Sequence, residues 1–215
     1  MKTLRSELER YWRDLARGMW LMPFAALEAA ADLLMDCHRR GATIFLVGNG
    51  GSAATASHFA CDLAKGVRAE GLPPFRVVAL TDNVPLMTAW GNDTSYPRIF
   101  AEQLAALVRP GDLVIAISAS GNSPNILMAA ETARAAGATT LALTGRTGGK
   151  LGTMADLVVR APLDAIEQVE DAHVMIAHSL CVVIRERLQA IAAAPHANGW
   201  QVEEILSELV ADLDL

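Results

Sequence analysis

The stretch TIFLVGNGGSAATASHFACDLAKG, residues 43–66, decides the fold class. It opens with a short apolar run, passes through Gly-Asn-Gly-Gly-Ser and continues in an alanine-rich pattern typical of a helix. Glycines at such a junction allow a sharp turn and let a ligand approach the backbone closely. The stretch therefore predicts a buried strand that leads into a helix, with a candidate binding loop between them.

Four more apolar runs of similar length follow along the chain, and helical patterns such as residues 122–136 and 164–192 lie between them. The runs are FRVVAL (75–80), LVIAIS (113–118), TTLALTG (139–145) and DLVVRAP (156–162). Continuous apolar strands that alternate with helices predict an α/β fold, in which a five-stranded parallel sheet is covered on both faces.

Further helical segments are predicted on either side of this core. Two helices, at about residues 2–17 and 23–40, precede the first strand, and Pro23 suits the first turn of the second. Residues 197–214 repeat apolar side chains at helical spacing and are predicted to form an appended C-terminal helix. Because no linker divides the chain, we expect one domain over residues 1–215, with N-terminal helices at 1–40 and a core at 41–192.

Composition excludes several classes of protein. The chain has 215 residues and a net charge of −6 without a basic cluster, which argues against a nucleic-acid-binding surface. No run approaches the roughly 20 apolar residues that cross a bilayer, so no membrane partner is expected. The three cysteines have no CxxC spacing, which favours a reducing compartment. We therefore expect a cytoplasmic protein.

Two loops rich in Ser, Gly and Asn follow predicted strands. GNGGS (48–52) follows the first strand, and SASGNS (118–123) leads directly into a helix. Hydroxyl groups and free amides at a helix N-terminus bind anions without Lys or Arg. Neither loop has the spacing of a nucleoside-triphosphate or dinucleotide motif. The pair therefore predicts a sugar-phosphate pocket, and TGRTGG (144–149) is a third polar loop at the same edge.

His58 and Asp62 follow the first loop and are four residues apart, about 40° around a helix, so both can face one point. A carboxylate and a histidine suit proton transfer next to a carbonyl near neutral pH. On the long late helix, His173 lies on an apolar stripe and is expected to be a hydrogen-bonded core residue. His178 lies off that stripe.

Five motifs in this order resemble the sugar isomerase (SIS) family, and within it the phosphoheptose isomerases. They are GNGGSAATASHFACDL, LTDNVPLMTAWGND, ISASGNSPNI, LTGRTGGK and EDAHVMIAH, and the resemblance spans roughly residues 5–190. It implies a flavodoxin-like three-layer fold and interconversion of sedoheptulose 7-phosphate with glycero-manno-heptose 7-phosphate. It also implies a homotetramer whose subunits share each active site, commonly with zinc.

The resemblance assigns roles residue by residue. It implies phosphate contacts from four serines: Ser52, Ser118, Ser120 and Ser123. It implies contacts with the rest of the substrate from Asn49, Gly50, Gly51, Asp82, Asn92, Asp93 and Ala119. Asp62 is implied as the catalytic base and His178 as the acid. The implied zinc ligands are His58, Asp62, Glu170 and His178.

Two positions depart from the family pattern, which usually has Glu in place of Asp62 and Gln in place of Glu170. The base is therefore one methylene shorter, and the metal set gains a second carboxylate. Helical geometry offers a rival to Glu170, because Asp171 lies only about 20° from His178 around the helix and Glu170 lies about 80° away. The motif alignment favours Glu170.

Two other functions remain open from the sequence. One is a noncatalytic sugar-phosphate-binding scaffold, like the regulators of replication initiation in this family. Those proteins tend to lose the late histidine, whereas His178 is present here. The other is an isomerase for a different ketose phosphate, which the changes at Asp62 and Glu170 suggest.

Overall fold

The computed structural model describes residues 3–194, which form a five-stranded sheet with helices on both faces. All strand pairs are parallel and the spatial order is β2-β1-β3-β4-β5. The strands are β1 Thr43–Gly48, β2 Arg76–Ala79, β3 Leu113–Ser118, β4 Thr139–Thr144 and β5 Leu157–Arg160. This order is the flavodoxin-like one, so the predicted fold class is confirmed.

Eight α-helices connect or extend the strands within the described residues. They are α1 Leu4–Met19, α2 Phe24–Arg40, α3 Gly51–Cys61, α4 Val84–Asp93, α5 Ala101–Leu107, α6 Pro124–Ala135, α7 Leu151–Met154 and α8 Ile166–Ala193. A π-helical turn, Asp62–Gly66, continues α3, and a short 3₁₀ turn, Tyr96–Arg98, precedes α5. The predicted C-terminal helix at 197–214 lies outside the described residues.

The strands bury both faces because their apolar side chains alternate between two layers. In β1, Ile44 and Leu46 pack into the core beneath α2, α3 and α8, whereas Phe45 and Val47 pack on the opposite face with α5 and α6. Leu15 of α1 joins a third, smaller cluster with Leu163, Val169 and neighbouring alanines. The runs of β1, β3 and β4 contain no alternation of polar and apolar residues because these strands are almost wholly buried, whereas the edge strand β2 is partly exposed.

The ends of the predicted helices shift by at most two residues. Pro23 occupies the N-cap of α2 rather than its first turn, and Gly41, in the left-handed conformation (φ 64°), is the C-cap that follows Arg40. Among residues 3–194 no single helix is long and apolar enough to cross a membrane. Helices α1 and α2, bent by 69° at their junction, reach that length and composition only when taken together.

The strand order creates a switch point between β1 and β3. The chain proceeds from β1 to β2 at one edge and from β3 through β4 to β5 at the other, so the connections leave these neighbouring strands in opposite directions. Such a point leaves a crevice at the carboxyl ends of the strands, where ligands of open α/β sheets bind. Helices α3 and α6 both begin at this crevice.

Candidate active site

The loop after β1 turns sharply into α3. Gly50 is the N-cap residue with φ 54°, and no side chain caps the helix. Asn49, just before the turn, exchanges two amide hydrogen bonds with Asn125 in the first turn of α6, at 2.8 and 2.7 Å. The hydroxyl of Tyr96 donates a third bond to Asn49 Oδ1 at 3.1 Å. The starts of α3 and α6 are therefore fixed side by side.

The loop after β3 folds around the buried Ser118. Ser118 Oγ accepts a hydrogen bond from the Gly121 amide at 3.2 Å and lies 3.4 Å from Ser123 Oγ, while Ser120 is exposed. The α6 helix begins at Pro124, and Ser123 makes no capping hydrogen bond with its own side chain. Three predicted phosphate ligands are thus grouped at a helix start, where Pro124 has no N–H and the Ile126 and Leu127 amides donate to Ser123 O.

The third polar loop supports the second one. Gly121 has φ 63° and packs so closely that an added Cβ would lie 2.0 Å from Gly148 O. Gly145 N donates to Ala119 O at 2.9 Å, and Leu151 N donates to Gly121 O at 2.9 Å. TGRTGG therefore shapes the SASGNS loop by backbone contact, a role that its composition alone does not reveal.

His58, Asp62 and His178 converge where α3 packs against α8. The two histidine Nε2 atoms are 2.8 Å apart, and Asp62 Oδ2 lies 3.3 Å from His58 Nε2 and 3.7 Å from His178 Nε2. Both imidazoles are about half exposed, at 53% and 51%. Asp62 begins the π-helical turn, a feature that is frequent at functional sites. The group can transfer protons or bind one cation.

The donor chemistry of this group fits a divalent metal. One potential ligand atom from each of the three residues lies within 4.8 Å of the others. Imidazole nitrogen together with carboxylate oxygen suits zinc among the common metals. Cys181 is not part of this group. Burial, followed by the nearby Asp62 charge, raises the pKa of its thiol to about 12.

The fourth predicted ligand, Glu170, lies outside this group of three. Its carboxylate instead lies against Gly51, where an added Cβ would be only 2.5 Å from Glu170 Oε2. Its rival, Asp171, accepts a hydrogen bond from the Tyr11 hydroxyl of α1. Tyr11 O also accepts a bond from Gln168 Nε2 at 2.9 Å. Of the two carboxylates, Glu170 is the one that lies against the β1–α3 loop.

The chain is similar in sequence to one family of known proteins. The profile of the family described as SIS domain matches residues 13–145. Phosphoheptose isomerase of Trichlorobacter lovleyi is 40% identical over 171 residues, which is 79% of this chain and 86% of that protein. The chain belongs to the phosphoheptose isomerase branch of the SIS family.

Solved structures of the phosphoheptose isomerases have the same fold. The enzyme from Neisseria gonorrhoeae aligns with a TM-score of 0.80 at 31% identity, and that from Francisella tularensis with 0.81 at 33%. Each alignment covers 86% of this chain and all of the other chain.

The remaining residues implied by the SIS resemblance are spread along the crevice edge. Ser52 is buried in the first turn of α3. Asp82 is exposed and accepts a hydrogen bond from Ser57 Oγ, which also lies 3.0 Å from Thr81 Oγ1. Asn92 and Asp93 are exposed at the end of α4 and hydrogen-bond to each other at 2.9 Å. The structure does not bring these two into contact with the histidine group.

Sequence reasoning missed three residues at this edge: Ser57, Tyr96 and Asn125. Their contacts reach Asp82 or Asn49 across 25, 47 and 76 positions of the chain. Of the three, only Asn125 has a signal in the sequence. Its amide side chain directly follows the predicted anion-binding loop in the motif SGNSPN, where it can hydrogen-bond to a neighbouring loop.

The prediction for His173 is confirmed for its burial and wrong for its hydrogen bonds. His173 is fully buried as predicted, but neither ring nitrogen has a partner in hydrogen-bonding geometry. Thr144 Oγ1 is also buried without a partner. Burial lowers the pKa of His173, and the neighbouring Thr144 backbone opposes the shift in part. His173 is therefore a neutral residue of the core.

Proposed function

We propose that the chain is an aldose–ketose isomerase that converts sedoheptulose 7-phosphate to glycero-manno-heptose 7-phosphate through an enediol, for nucleotide-heptose or related glycan biosynthesis. The observation that carries this proposal is the convergence of His58, Asp62 and His178 beside two polar loops at the switch point. A proton-transfer group next to an anion-binding loop is what isomerisation of a sugar phosphate requires. Membership of the phosphoheptose isomerase branch supports the same substrate.

The proposed reaction moves one proton between carbons and one between oxygens. Asp62 removes a proton from C1 of the ketose, and His178 gives a proton to the carbonyl oxygen at C2, which produces the enediol. The C1 hydroxyl then loses its proton and C2 gains one, so the aldose forms without net change in protons or electrons. His178 Nε2 and Asp62 Oδ2 lie 3.7 Å apart, so the acid and the base can act on adjacent atoms of one substrate.

The phosphate is proposed to bind at the start of α6. Ser118, Ser120 and Ser123 supply hydroxyl groups, and the N-terminus of α6 supplies partial positive charge. Ser52 adds a hydroxyl from α3. The remainder of the sugar is proposed to lie along residues that share the crevice edge: Asn49, Gly50, Gly51, Asp82, Asn92, Asp93 and Ala119.

A divalent cation, with zinc as the candidate, would be held by His58, Asp62 and His178, at one ion per subunit. Each lone pair of Asp62 or His178 that binds the ion would not be available for proton transfer. The predicted ligand set also includes Glu170. When bound, such an ion polarises a carbonyl oxygen and so makes the adjacent C–H more acidic. The converging nitrogen and oxygen donors support this proposal.

We further propose a cytoplasmic homotetramer in which subunits share each active site, built from one domain over residues 1–215. Large apolar side chains on α1 and the α1–α2 junction support an interface. Leu8 and Trp12 lie one helical turn apart and are 65% and 67% exposed, and Trp20 is 85% exposed. Contiguous exposed apolar surface of this kind marks protein interfaces.

Incubation of the purified protein with sedoheptulose 7-phosphate, followed by NMR of the products, tests the function. We expect the aldose 7-phosphate to appear, and H178A to form none. Shorter ketose phosphates serve as comparison substrates. Turnover of one of these but not of the heptulose would contradict the substrate, and no turnover of any would contradict the enzyme.

A further inference from the structure

We infer that the paired side-chain amides of Asn49 and Asn125 set the distance between the serine loop (residues 118–123) and the histidine group, so that one sugar phosphate can reach both. Asn125 is thus a positioning residue, and it acts through Asn49. This inference rests on the proposed function, because it concerns how the same substrate is aligned in the same site.

The pair joins two segments that leave the sheet separately. Strands β1 and β3 stay in register as far as Gly48 and Ile117, and beyond these residues each strand leads into its own helix. The reciprocal amide bonds, at 2.8 and 2.7 Å, are the only hydrogen bonds among residues 3–194 that connect the segment 49–62 with the segment 118–135. At the crevice, the pair is therefore the hydrogen-bonded link between the starts of α3 and α6.

Each end of this link carries one part of the site. Helix α3 begins two residues after Asn49 and presents His58 one turn before Asp62. Asn125 is the second residue of α6 and lies two positions after Ser123 of the serine loop. A displacement of about 1 Å between a substrate and the groups that act on it can cost roughly 100-fold in rate. The spacing that the pair maintains therefore bears directly on turnover.

Burial makes the link specific. Asn125 is only 1% exposed, so its amide cannot exchange the bonds to Asn49 for bonds to water. Asn49 Oδ1 accepts bonds from Asn125 Nδ2 and from the Tyr96 hydroxyl, which together use both lone pairs of this oxygen. A substrate hydroxyl therefore finds no free acceptor at Asn49 Oδ1, and this side chain serves the site by fixing the loop.

Two substitutions break the link from its buried side. N125A removes the amide, and N125L replaces it with an apolar side chain of similar volume, which preserves the packing that N125A loses. Q103A is the matched control, because Gln103 is also a buried amide, 3% exposed, whose Nε2 donates to Leu80 O and Ile99 O. Thermal unfolding and the zinc-induced rise in Tm are recorded for each variant.

Calorimetry with two ligands separates alignment from stability. Inorganic phosphate occupies only the serine loop, whereas heptitol 7-phosphate, the reduced and non-isomerisable form of sedoheptulose 7-phosphate, spans the loop and the histidine group. We expect both Asn125 variants to bind inorganic phosphate within about twofold of the wild type and heptitol 7-phosphate at least about tenfold more weakly. The zinc-induced rise in Tm should be retained. Q103A should lose similar stability and bind both ligands as the wild type does.

Three results would overturn the inference. One is an unchanged affinity for heptitol 7-phosphate in N125A and N125L, and another is an equal loss of affinity for both ligands in these variants. The third is a wild type that binds heptitol 7-phosphate no more tightly than inorganic phosphate, since no ligand would then span the two parts of the site.

The isomerase assay distinguishes this inference from the proposed function. If the wild type turned over no ketose phosphate while N125A and N125L lost affinity for heptitol 7-phosphate alone, the proposed function would fail and the role of Asn125 would stand. If the wild type were active and both variants kept its kcat/KM and its affinity for the heptitol phosphate, the proposed function would stand and the role of Asn125 would fail.

Discussion

His58 Nε2 and His178 Nε2 face each other at 2.8 Å although 120 residues separate them in the chain. The contact exists because α3 and α8 pack together, and Asp62 approaches both rings from the π-helical turn. These two ring nitrogens and the Asp62 carboxylate are placed so that they can hold one cation between them.

Replacement of His178 by alanine should abolish turnover of sedoheptulose 7-phosphate and leave the fold intact. The side chain is half exposed, so the free energy of unfolding should change by less than about 0.5 kcal/mol. Product NMR and urea unfolding measure the two effects. E186Q, an exposed change on the same helix, is the control and should keep full activity. Wild-type turnover by H178A would exclude its role as the acid.

Zinc should stabilise the wild type against thermal unfolding, because a ligand that binds only the folded state shifts the equilibrium towards it. At a zinc concentration about 100 times Kd, the stabilisation is about 2.7 kcal/mol. H58A and D62N should lose most of this shift, whereas E186Q should retain it. An equal rise in Tm for the wild type and H58A would show that the ion binds elsewhere.

The double variant S120A/S123A should bind inorganic phosphate more weakly. Each hydroxyl that donates to the anion contributes about 1.5–3 kcal/mol, so calorimetry should record at least a tenfold loss, about 1.4 kcal/mol. Ser179 is an exposed serine whose hydroxyl bonds to its own helix at Ile176 O, so S179A serves as the control. Unchanged affinity in the double variant would place the phosphate at another site.

Tyr11 should make stability sensitive to alkaline pH. The hydrogen bond to Asp171, together with desolvation and nearby carboxylate charge, raises the pKa of Tyr11 from 10.0 to about 12. The protonated phenol is therefore favoured by folding. This contribution is fully present below pH 10 and is lost as the pH rises towards 12.

Urea unfolding between pH 9 and 12 measures the effect of Tyr11. The free energy of unfolding should fall in the wild type over this range, and Y11F should show a smaller fall from a lower starting value. If the free energy of unfolding fell equally with pH in the wild type and Y11F, the hydrogen bond to Asp171 would not be what raises the pKa of Tyr11.

A charge on the apolar face of α1 should break the proposed tetramer. Leu8 and Trp12 are mostly exposed in the single chain, so L8E/W12E should leave the subunit folded and reduce the mass found by light scattering. R13E changes an exposed charge on the same helix and should leave the mass unchanged. A wild type that is monomeric at micromolar concentration would contradict the proposal.

The fold could be predicted because each strand carries its own signal. The runs at 43–48 and 113–118 match β1 and β3 residue for residue, since buried parallel strands are continuous apolar segments. Helices α4, α5 and α7 were not predicted, because their apolar residues do not form a long periodic stripe. The order of the strands came from the family resemblance and not from any single run.

The candidate site was predictable only in part. The spacing of His58 and Asp62 places both on one helix face, and the structure places them 3.3 Å apart. Helix angles alone could not decide between Glu170 and Asp171. The Asp171 carboxylate is hydrogen-bonded to Tyr11, which lies 160 positions away in the chain. The π-helical turn at Asp62 also lacks a sequence signal, since it depends on tertiary packing.

The contact between α3 and α8 also has a consequence for how the protein folds. All five strands lie before residue 161, so the sheet can form its full set of pairs while α8 is still being synthesised. His58 then has Asp62 beside it but not His178. The group of three is complete only when α8 packs against α3. A chain that ends before residue 178 should therefore lack the group even if all five strands are present.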